Sequence, residues 1–248
     1  MSAHVSCVIP AFNEAPRLPR LTKDLVRTGC EHPSPAVEFV ISDDGSRPAE
    51  ASAEKAAVDE AQRAFAEVGS PHRMRFVASP RNRGKGAAVR LGWQSASAEA
   101  EWLAFLDADG AVSAVEFFRL AGTLERTAAD VLAASRVMMA GKAIQRSPLR
   151  HYQGRVFATL VELVLGIGFY DSQCGLKFFR SALLRPILPK LREDRWLIDP
   201  EVLFLMKRAG ARFVEEPIDW SDPGGSKITP GLDATKMLLG LRRIRRRG

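Results

Sequence analysis

The chain has 248 residues, 46% hydrophobic and 26% charged, enough for one substantial core and unlike a disordered or collagen-like polymer. Its 36 Lys and Arg against 29 Asp and Glu leave a net charge of +7, which favours anionic partners (nucleotides, phosphorylated lipids, acidic membrane, nucleic acid) without choosing among them. Cys7, Cys30 and Cys174 cannot all pair with one another and lack close metal-ligand spacing, a pattern that favours reducing surroundings over a disulfide scaffold.

Val5 to Ile9 is a compact apolar strand candidate, and Pro10 with Asn13-Glu14 marks its exit toward a helix. Val37 to Ile41 repeats the arrangement before Asp43-Asp44-Gly45-Ser46. Arg75 to Ala78 and Trp102 to Leu106 predict further strands, while Ala49 to Val68 and Lys85 to Ala98 are rich in helix formers. Val131 to Ser135 is another apolar run. Beyond it the order is less regular: helix over Ser147 to Gly168, strand over Gly175 to Phe179, helix over Pro200 to Ala209 and strand over Phe213 to Pro217. Alternating strands and helices predict an α/β fold, Rossmann-like, with a mostly parallel central sheet flanked by helices and a site at the strand C-termini. A dinucleotide-binding fold is the alternative, but no Gly-x-Gly-x-x-Gly follows the first strand, so nicotinamide chemistry has poor support. No low-complexity linker or internal repeat divides the chain. A single domain is expected, with a nucleotide-binding part over 1–135, an acceptor-binding part over 136–231 and a basic C-terminal helix or tail over 232–248.

Three loops carry the chemistry. Asp107-Ala108-Asp109 directly follows an apolar strand, where two carboxylates can hold a hard divalent ion, Mg2+ or Mn2+, against a diphosphate; alone, an Asp-Gly turn capping a helix would explain it equally well. Asp43-Asp44-Gly45-Ser46 follows another strand, and its carboxylates can accept from a base or ribose, or simply cap a helix. Asn82-Arg83-Gly84-Lys85-Gly86 opens a helix: its glycines admit a close ligand, Lys85 can neutralise phosphate and the helix N-terminus favours an anion, although a solvated basic turn is the plain alternative. Together the loops predict a nucleotide-diphosphate site.

These residues carry a resemblance. Val8-Ile9-Pro10-Ala11-Phe12-Asn13-Glu14, Asp43-Asp44-Gly45-Ser46, Asn82 to Arg90, Asp107-Ala108-Asp109-Gly110, Asp171 to Lys177 and Trp220 to Lys227 together resemble a family 2 glycosyltransferase of the GT-A fold, and more narrowly the dolichyl-phosphate beta-glucosyltransferase group. The resemblance implies that Pro10, Ala11 and Glu14 border the nucleotide, that Asp44 contacts uracil and that Lys85 lies near the nucleotide. It further implies that Asp107 and Asp109 hold the ribose and the metal-bound diphosphate, with Asp109 the direct metal ligand. The Asp-Ala-Asp-Gly form tilts the implied donor toward UDP-glucose over GDP-mannose. On the acceptor side it implies Asp171, Gln173 and Lys177 near the sugar or acceptor phosphate, and Arg195 with Asp199-Pro200-Glu201 in a further motif whose carboxylates face sugar or metal. Lys227 would close a loop over the diphosphate, with an ordinary surface loop as the alternative.

The implied reaction is inverting hexose transfer to a polyprenyl or dolichyl phosphate. That acceptor is already anionic near neutral pH, so a strong protein base is unnecessary. A hydroxyl acceptor, such as a lipid or soluble glycan, would instead call on Asp199 or Glu201 as a general base. A nucleotidyltransferase and a basic nucleic-acid-binding module are the readings from other classes, and the combined motifs leave no nucleic-acid partner expected. Cys174, His151, Trp93, Trp102 and Trp196 are expected to serve packing, surface or interface roles.

Two stretches bear on membranes. Arg146, Arg150 and Arg155 precede the apolar run Phe157 to Tyr170, which Glu162 interrupts and which is short for a bilayer span but suited to a helix or surface segment at a lipid interface. Met237-Leu238-Leu239 and Leu241 precede a run of arginines from Arg242 to Arg247, suited to anionic headgroups or to a docked helix with a solvated tail. The first residues lack a basic region followed by a long apolar run, so no cleaved secretory signal is expected. The expectation is a cytoplasmic protein, peripheral at the cytoplasmic face of a membrane.

Overall fold

The computed structural model describes residues 4–137, 141–145, 148–221 and 232–248. In chain order the elements are β1 (Val5–Ala11), α1 (Leu18–Glu31), β2 (Val37–Asp43), α2 (Pro48–Glu67), β3 (Arg73–Ala78), α3 (Lys85–Ser95), β4 (Trp102–Leu106), α4 (Ala114–Ala121), β5 (Val131–Ser135), β6 (Ile144–Gln145), α5 (Pro148–Leu165), β7 (Leu176–Arg180), α6 (Ser181–Leu184), α7 (Ile198–Arg208), β8 (Phe213–Pro217), β9 (Trp220–Ser221) and α8 (Leu232–Arg247).

The main sheet has seven strands in the order β3-β2-β1-β4-β7-β5-β8, while β6 and β9 form a separate parallel pair. β1 pairs in parallel with β2 and β4, β2 with β3, and β5 with β8; β7 runs antiparallel to both β4 and β5. Central strands buried on both faces read as apolar runs, as β4 does along its whole length, while β2 is equally buried but carries Glu38, Ser42 and Asp43. Alternate side chains of one strand feed opposite cores. Val5, Cys7 and Ile9 of β1 join Phe39, Trp102, Leu25 of α1, Phe65 of α2 and Phe117 of α4. Val8 joins Leu103, Phe105, Trp93 of α3, Val161 of α5, Val202 of α7 and Ile244 of α8 on the other face.

The sequence expectations for β4, β5 and β8 match the strands residue for residue. Helix α4 lies over a stretch with no predicted element; Ser113 Oγ accepts the Glu116 N–H at 3.2 Å at its N-cap, a Ser-x-x-Glu capping pattern. Cys7 and Cys174 are buried and Cys30 exposed, all free. Trp93 and Trp102 are core residues, but Trp196 is 44% exposed, so its expected packing role is corrected to a surface one. Arg146 and the segment holding Lys227 lie outside the described residues, as do the side chains of Arg150 and His151.

Candidate active site

Because β2, β1 and β4 are parallel neighbours, the loops leaving Asp43, Ala11 and Leu106 open at one edge of the sheet. The antiparallel course of β7 adds the acceptor-side motif: Leu176 at its start pairs with Leu106 at the end of β4, which brings Cys174 and Gly175 against Asp107. The Asp107 N–H donates to the Gly175 carbonyl at 2.8 Å. A Cβ on Gly175 would lie 2.7 Å from Asp107 Cγ and 2.9 Å from its Cβ, so only glycine lets the two chains approach this closely.

A ladder of alternating charge runs inward from this edge. Lys85 Nζ lies 2.7 Å from Asp107 Oδ1 and 3.3 Å from Asp199 Oδ2, and Lys177 Nζ lies 2.6 Å from Asp199 Oδ1. Lys177 donates also to the Cys174 carbonyl at 2.6 Å. Both ammonium groups sit over the Phe105 ring, 4.9 and 5.1 Å from its centroid. Asp107 is the open end, with 32% of its side chain exposed, whereas that of Lys177 is fully buried. Burial alone would pull the Lys85 ammonium down, but Asp107 and Asp199 hold it above its ordinary value. Burial pushes the Asp107 carboxyl up, with Asp109 and Asp199 adding to the effect against Lys85. Asp199 shows the reverse: despite its burial, Lys177 and Lys85 hold it below the usual carboxylate range.

The nucleotide-side residues form a pre-tied frame. Asp44 Oδ1 accepts the Arg83 N–H at 2.9 Å and Oδ2 the Gly84 N–H at 2.6 Å, which fixes the turn before α3; burial raises its pKa against these two bonds. Glu14 is bidentate with Arg17 at 2.7 and 2.6 Å, and its N–H donates to buried Glu54 at 2.6 Å. Pro10 and Ala11 close β1 beside them. Thus Asp44 and Glu14 reach the expected edge with carboxylates already engaged by the protein.

A further loop clamps α3 from the other side. A Cβ on Gly84 would meet the Asp194 carbonyl at 2.6 Å and one on Gly86 the Asp194 carbonyl carbon at 2.9 Å. Asp194 pairs with Arg83 at 3.2 Å and with Arg90. Glu201, 3% exposed, accepts the Arg192 and Glu193 N–H groups, so its carboxylate holds this loop, and the expectation of Glu201 as a base facing sugar or metal does not fit the geometry. Asp199, pinned between two lysines, is equally unsuited to taking a proton. Arg195 is exposed, with its side chain against Gly84.

On the acceptor side, Asp171 is 8% exposed and accepts three bonds from Arg136: from its N–H at 2.9 Å, Nε at 2.7 Å and Nη2 at 2.6 Å. Glu215 in turn accepts the Tyr170 and Asp171 N–H groups at 3.1 and 2.8 Å. The Arg136 guanidinium also faces the Trp220 ring at 5.4 Å. Arg136 belongs to none of the sequence motifs; its place directly after strand β5, level with the other strand-end loops, is the signal the sequence carries for it. Gln173 lies half-buried in the same loop as Asp171. Lys177, in contrast, spends its donors inside the ladder, so its expected contact with sugar or phosphate is corrected to a support of Asp199.

Among the described residues no three His, Cys, Asp or Glu side chains converge on a metal position. Asp109 offers a hard oxygen at the rim, with Oδ1 accepting the Ala111 N–H at 3.0 Å. That donor set suits an ion shared with a bound diphosphate and is too small for an all-protein cage.

An edge of this kind, with an Asp-x-Asp turn, an ion-paired lysine at a helix start and Arg136 held at the flank, is that of a GT-A glycosyltransferase. Residues 6–188 match Glycosyl transferase family 2, and the chain belongs to that family. It is 32% identical over 260 residues to the dolichyl-phosphate beta-glucosyltransferase of Saccharomyces cerevisiae, covering 97% of this chain and 74% of that one. It is 28% identical over 251 residues to the protein of the same name from Dictyostelium discoideum, covering 98% and 74%. Among solved structures, glucosyl-3-phosphoglycerate synthase from Mycobacterium tuberculosis, in complex with Mn2+, UDP-glucose and glycerol 3-phosphate, superposes with a TM-score of 0.63 at 16% identity, over 98% of this chain and 80% of that one.

Proposed function

We propose that the protein transfers glucose from UDP-glucose to a dolichyl or other polyprenyl phosphate, with inversion at the anomeric carbon. Similarity to dolichyl-phosphate beta-glucosyltransferases along nearly the whole chain carries this reading. The site supports it. An acceptor phosphate oxygen forms the bond to C1 as the bond from C1 to the UDP β-phosphate oxygen breaks, and that electron pair leaves with UDP. The attacking oxygen is already ionised, so the absence of a free base at Asp199 and Glu201 is no obstacle. A hydroxyl acceptor would need one.

In this reading residues 1–135 bind the donor and 136–231 the acceptor. Lys85 sits where a cation opposes diphosphate charge, and the tied 82–86 turn presents the α3 N-terminus to the same anion. Arg136, fixed by Asp171, offers the acceptor phosphate a guanidinium that cannot swing away. Asp109 would hold a divalent ion, Mg2+ or Mn2+, which would neutralise the leaving diphosphate. Among the described residues no helix is long and apolar enough to cross a membrane; we place the protein at the cytoplasmic face, where a lipid acceptor and a soluble sugar nucleotide meet.

The test incubates purified protein and divalent ion with UDP-glucose and an isoprenyl phosphate in detergent and identifies the lipid product by mass spectrometry. A hexosyl-phosphate lipid, lost at least a hundredfold in Asp109→Ala, is the expected outcome. Folded protein that transfers glucose to hydroxyl acceptors and to no isoprenyl phosphate of any chain length would overturn the reading.

A further inference from the structure

Helices α5 and α8 pack side by side on one core: Phe157, Val161 and Leu165 of the first and Leu241 and Ile244 of the second belong to the same buried cluster. Arg245 of α8 spans the seam to the Val164 carbonyl at 3.2 Å. The faces turned away from that core should be polar in an ordinary surface helix, and here large apolar side chains stand exposed among Thr159 and Glu162 of α5 and the arginines of α8. Tyr152, Val156 and Leu163 are 70%, 45% and 73% exposed; at i, i+4 and i+11 they form one stripe along α5. On α8, Leu239 is 57% exposed, and exposed Arg242 and Arg246 follow it at i+3 and i+7. The exposed Val68 and Val115 follow or lie on α2 and α4, which pack against the other core, across the sheet from α5 and α8.

We propose that this paired face docks on an anionic lipid bilayer, with Tyr152, Val156, Leu163 and Leu239 entering the headgroup boundary and Arg242 and Arg246 pairing with lipid phosphates. The occupant follows from charge. An isologous contact between two copies would gather the same arginines from both partners, whereas an acidic headgroup layer complements them. The inference deepens the function proposed above and rests on it only for the lipid nature of the acceptor.

Flotation of the full chain with phosphatidylcholine vesicles, with and without phosphatidylserine, tests the surface directly. Wild-type protein is expected to favour the anionic vesicles and to lose them as salt is raised. Arg242→Gln with Arg246→Gln should weaken that binding about twenty-fivefold, about fivefold for each arginine near an anionic surface. Tyr152→Ser with Leu163→Ser should weaken it at least tenfold, and Val68→Ser should leave it unchanged. Circular dichroism and melting temperature report whether each variant folds. Binding by both double variants at the wild-type level, or no preference of the wild type for anionic vesicles, would overturn the proposal. So would a change in oligomeric state by light scattering that tracks Leu163 while vesicle binding stays intact. Transfer to a short, water-soluble isoprenyl phosphate separates the two readings. If the variants bind poorly but match wild type on the short acceptor, surface and function both stand. If vesicle binding follows the pattern and no acceptor phosphate is glucosylated, the surface stands and the function falls.

Discussion

Replacing Lys177 by methionine removes the deepest rung of the charge ladder while keeping most of the side-chain volume. The ammonium makes two bonds, each of 2.6 Å, to Asp199 Oδ1 and the Cys174 carbonyl, in a position with no solvent to replace them. Breaking a buried ion pair from one side costs about 3–5 kcal/mol, and Lys85 remains on Asp199, so the lower end, about 3 kcal/mol, applies. At about 2.1 cal/mol/K per residue, the unfolding entropy of a chain this size is about 520 cal/mol/K, and the melting temperature should fall by about 6 °C. Asp199, released from Lys177, should titrate higher and draw Lys85 away from Asp107, lowering kcat more than it raises either KM. Calorimetry and urea unfolding give the first quantity and steady-state kinetics the second. The double variant Lys177→Met, Asp199→Asn removes both charges and should recover part of the loss, giving a coupling of about 1–3 kcal/mol. If Lys177 instead touched the acceptor, Lys177→Met would raise the acceptor KM with stability unchanged, and that result would refute the ladder.

Gly175→Ala should cut kcat at least tenfold by forcing Asp107 off Lys85, with about 1–3 kcal/mol of destabilisation; kinetics paired with a melting curve checks it, and near-wild-type kcat counts against the close approach. Arg136→Lys should raise the acceptor KM while sparing the donor KM, because lysine cannot reproduce the bidentate grip on Asp171; equal rises in both would point to general damage. Two buried glutamates should leave opposite marks on stability against pH. Glu38 is lowered from 4.5 to about 2 because, against its burial, Ser6, Ser97 and Arg75 donate to it; its roughly 3 kcal/mol is present above pH 4.5 and lost as pH falls toward 2. Burial raises Glu54 from 4.5 to about 6, so its ionisation costs roughly 2 kcal/mol above pH 6, a cost relieved as pH falls to 4.5. Urea unfolding across pH should therefore show a shallower acid slope in Glu38→Gln and a smaller rise between pH 6 and 4.5 in Glu54→Gln; curves parallel to wild type would contradict the assignments.

What the sequence made legible divides along physical lines. Strands β4, β5 and β8 could be bounded to the residue because burial on both faces writes them as short apolar runs between turn residues. The Asp43-Asp44 and Asp107-Asp109 loops could be matched to strand ends, and parallel pairing brought them together as expected. Helix α4 is only eight residues long and follows directly on the Asp-x-Asp-Gly turn, so the Ser113–Glu116 capping pattern is its main signal in the sequence. The roles of Lys177, Glu201 and Asp171 were not legible at all. A polar residue in a motif looks the same from sequence whether it faces substrate or another side chain, and only the antiparallel return of β7 decides that Lys177 points inward at Asp199. Arg136 shows the converse: its place after an apolar strand marks it as a strand-end residue, but its partner Asp171 lies 35 positions away and only the fold brings the two together.

The 192–195 loop explains why the C-terminal basic segment is more than a tail. Glu193 is 7% exposed and pairs with Arg243 at 2.6 Å and Arg247 at 3.6 Å of α8. Its neighbour Asp194 holds Arg83 and Arg90, and Glu201 fixes the backbone of the same loop from α7. The arginines of α8 thus divide by helical position: those near Glu193 tie the helix to the loop that backs Gly84 and Gly86, and those facing outward are left with no acidic partner among the described residues. One helix therefore presents cations to two environments at once. The inward set bears on the placement of Lys85 through the backbone it clamps, and the outward set is free to meet an anionic surface without disturbing that placement.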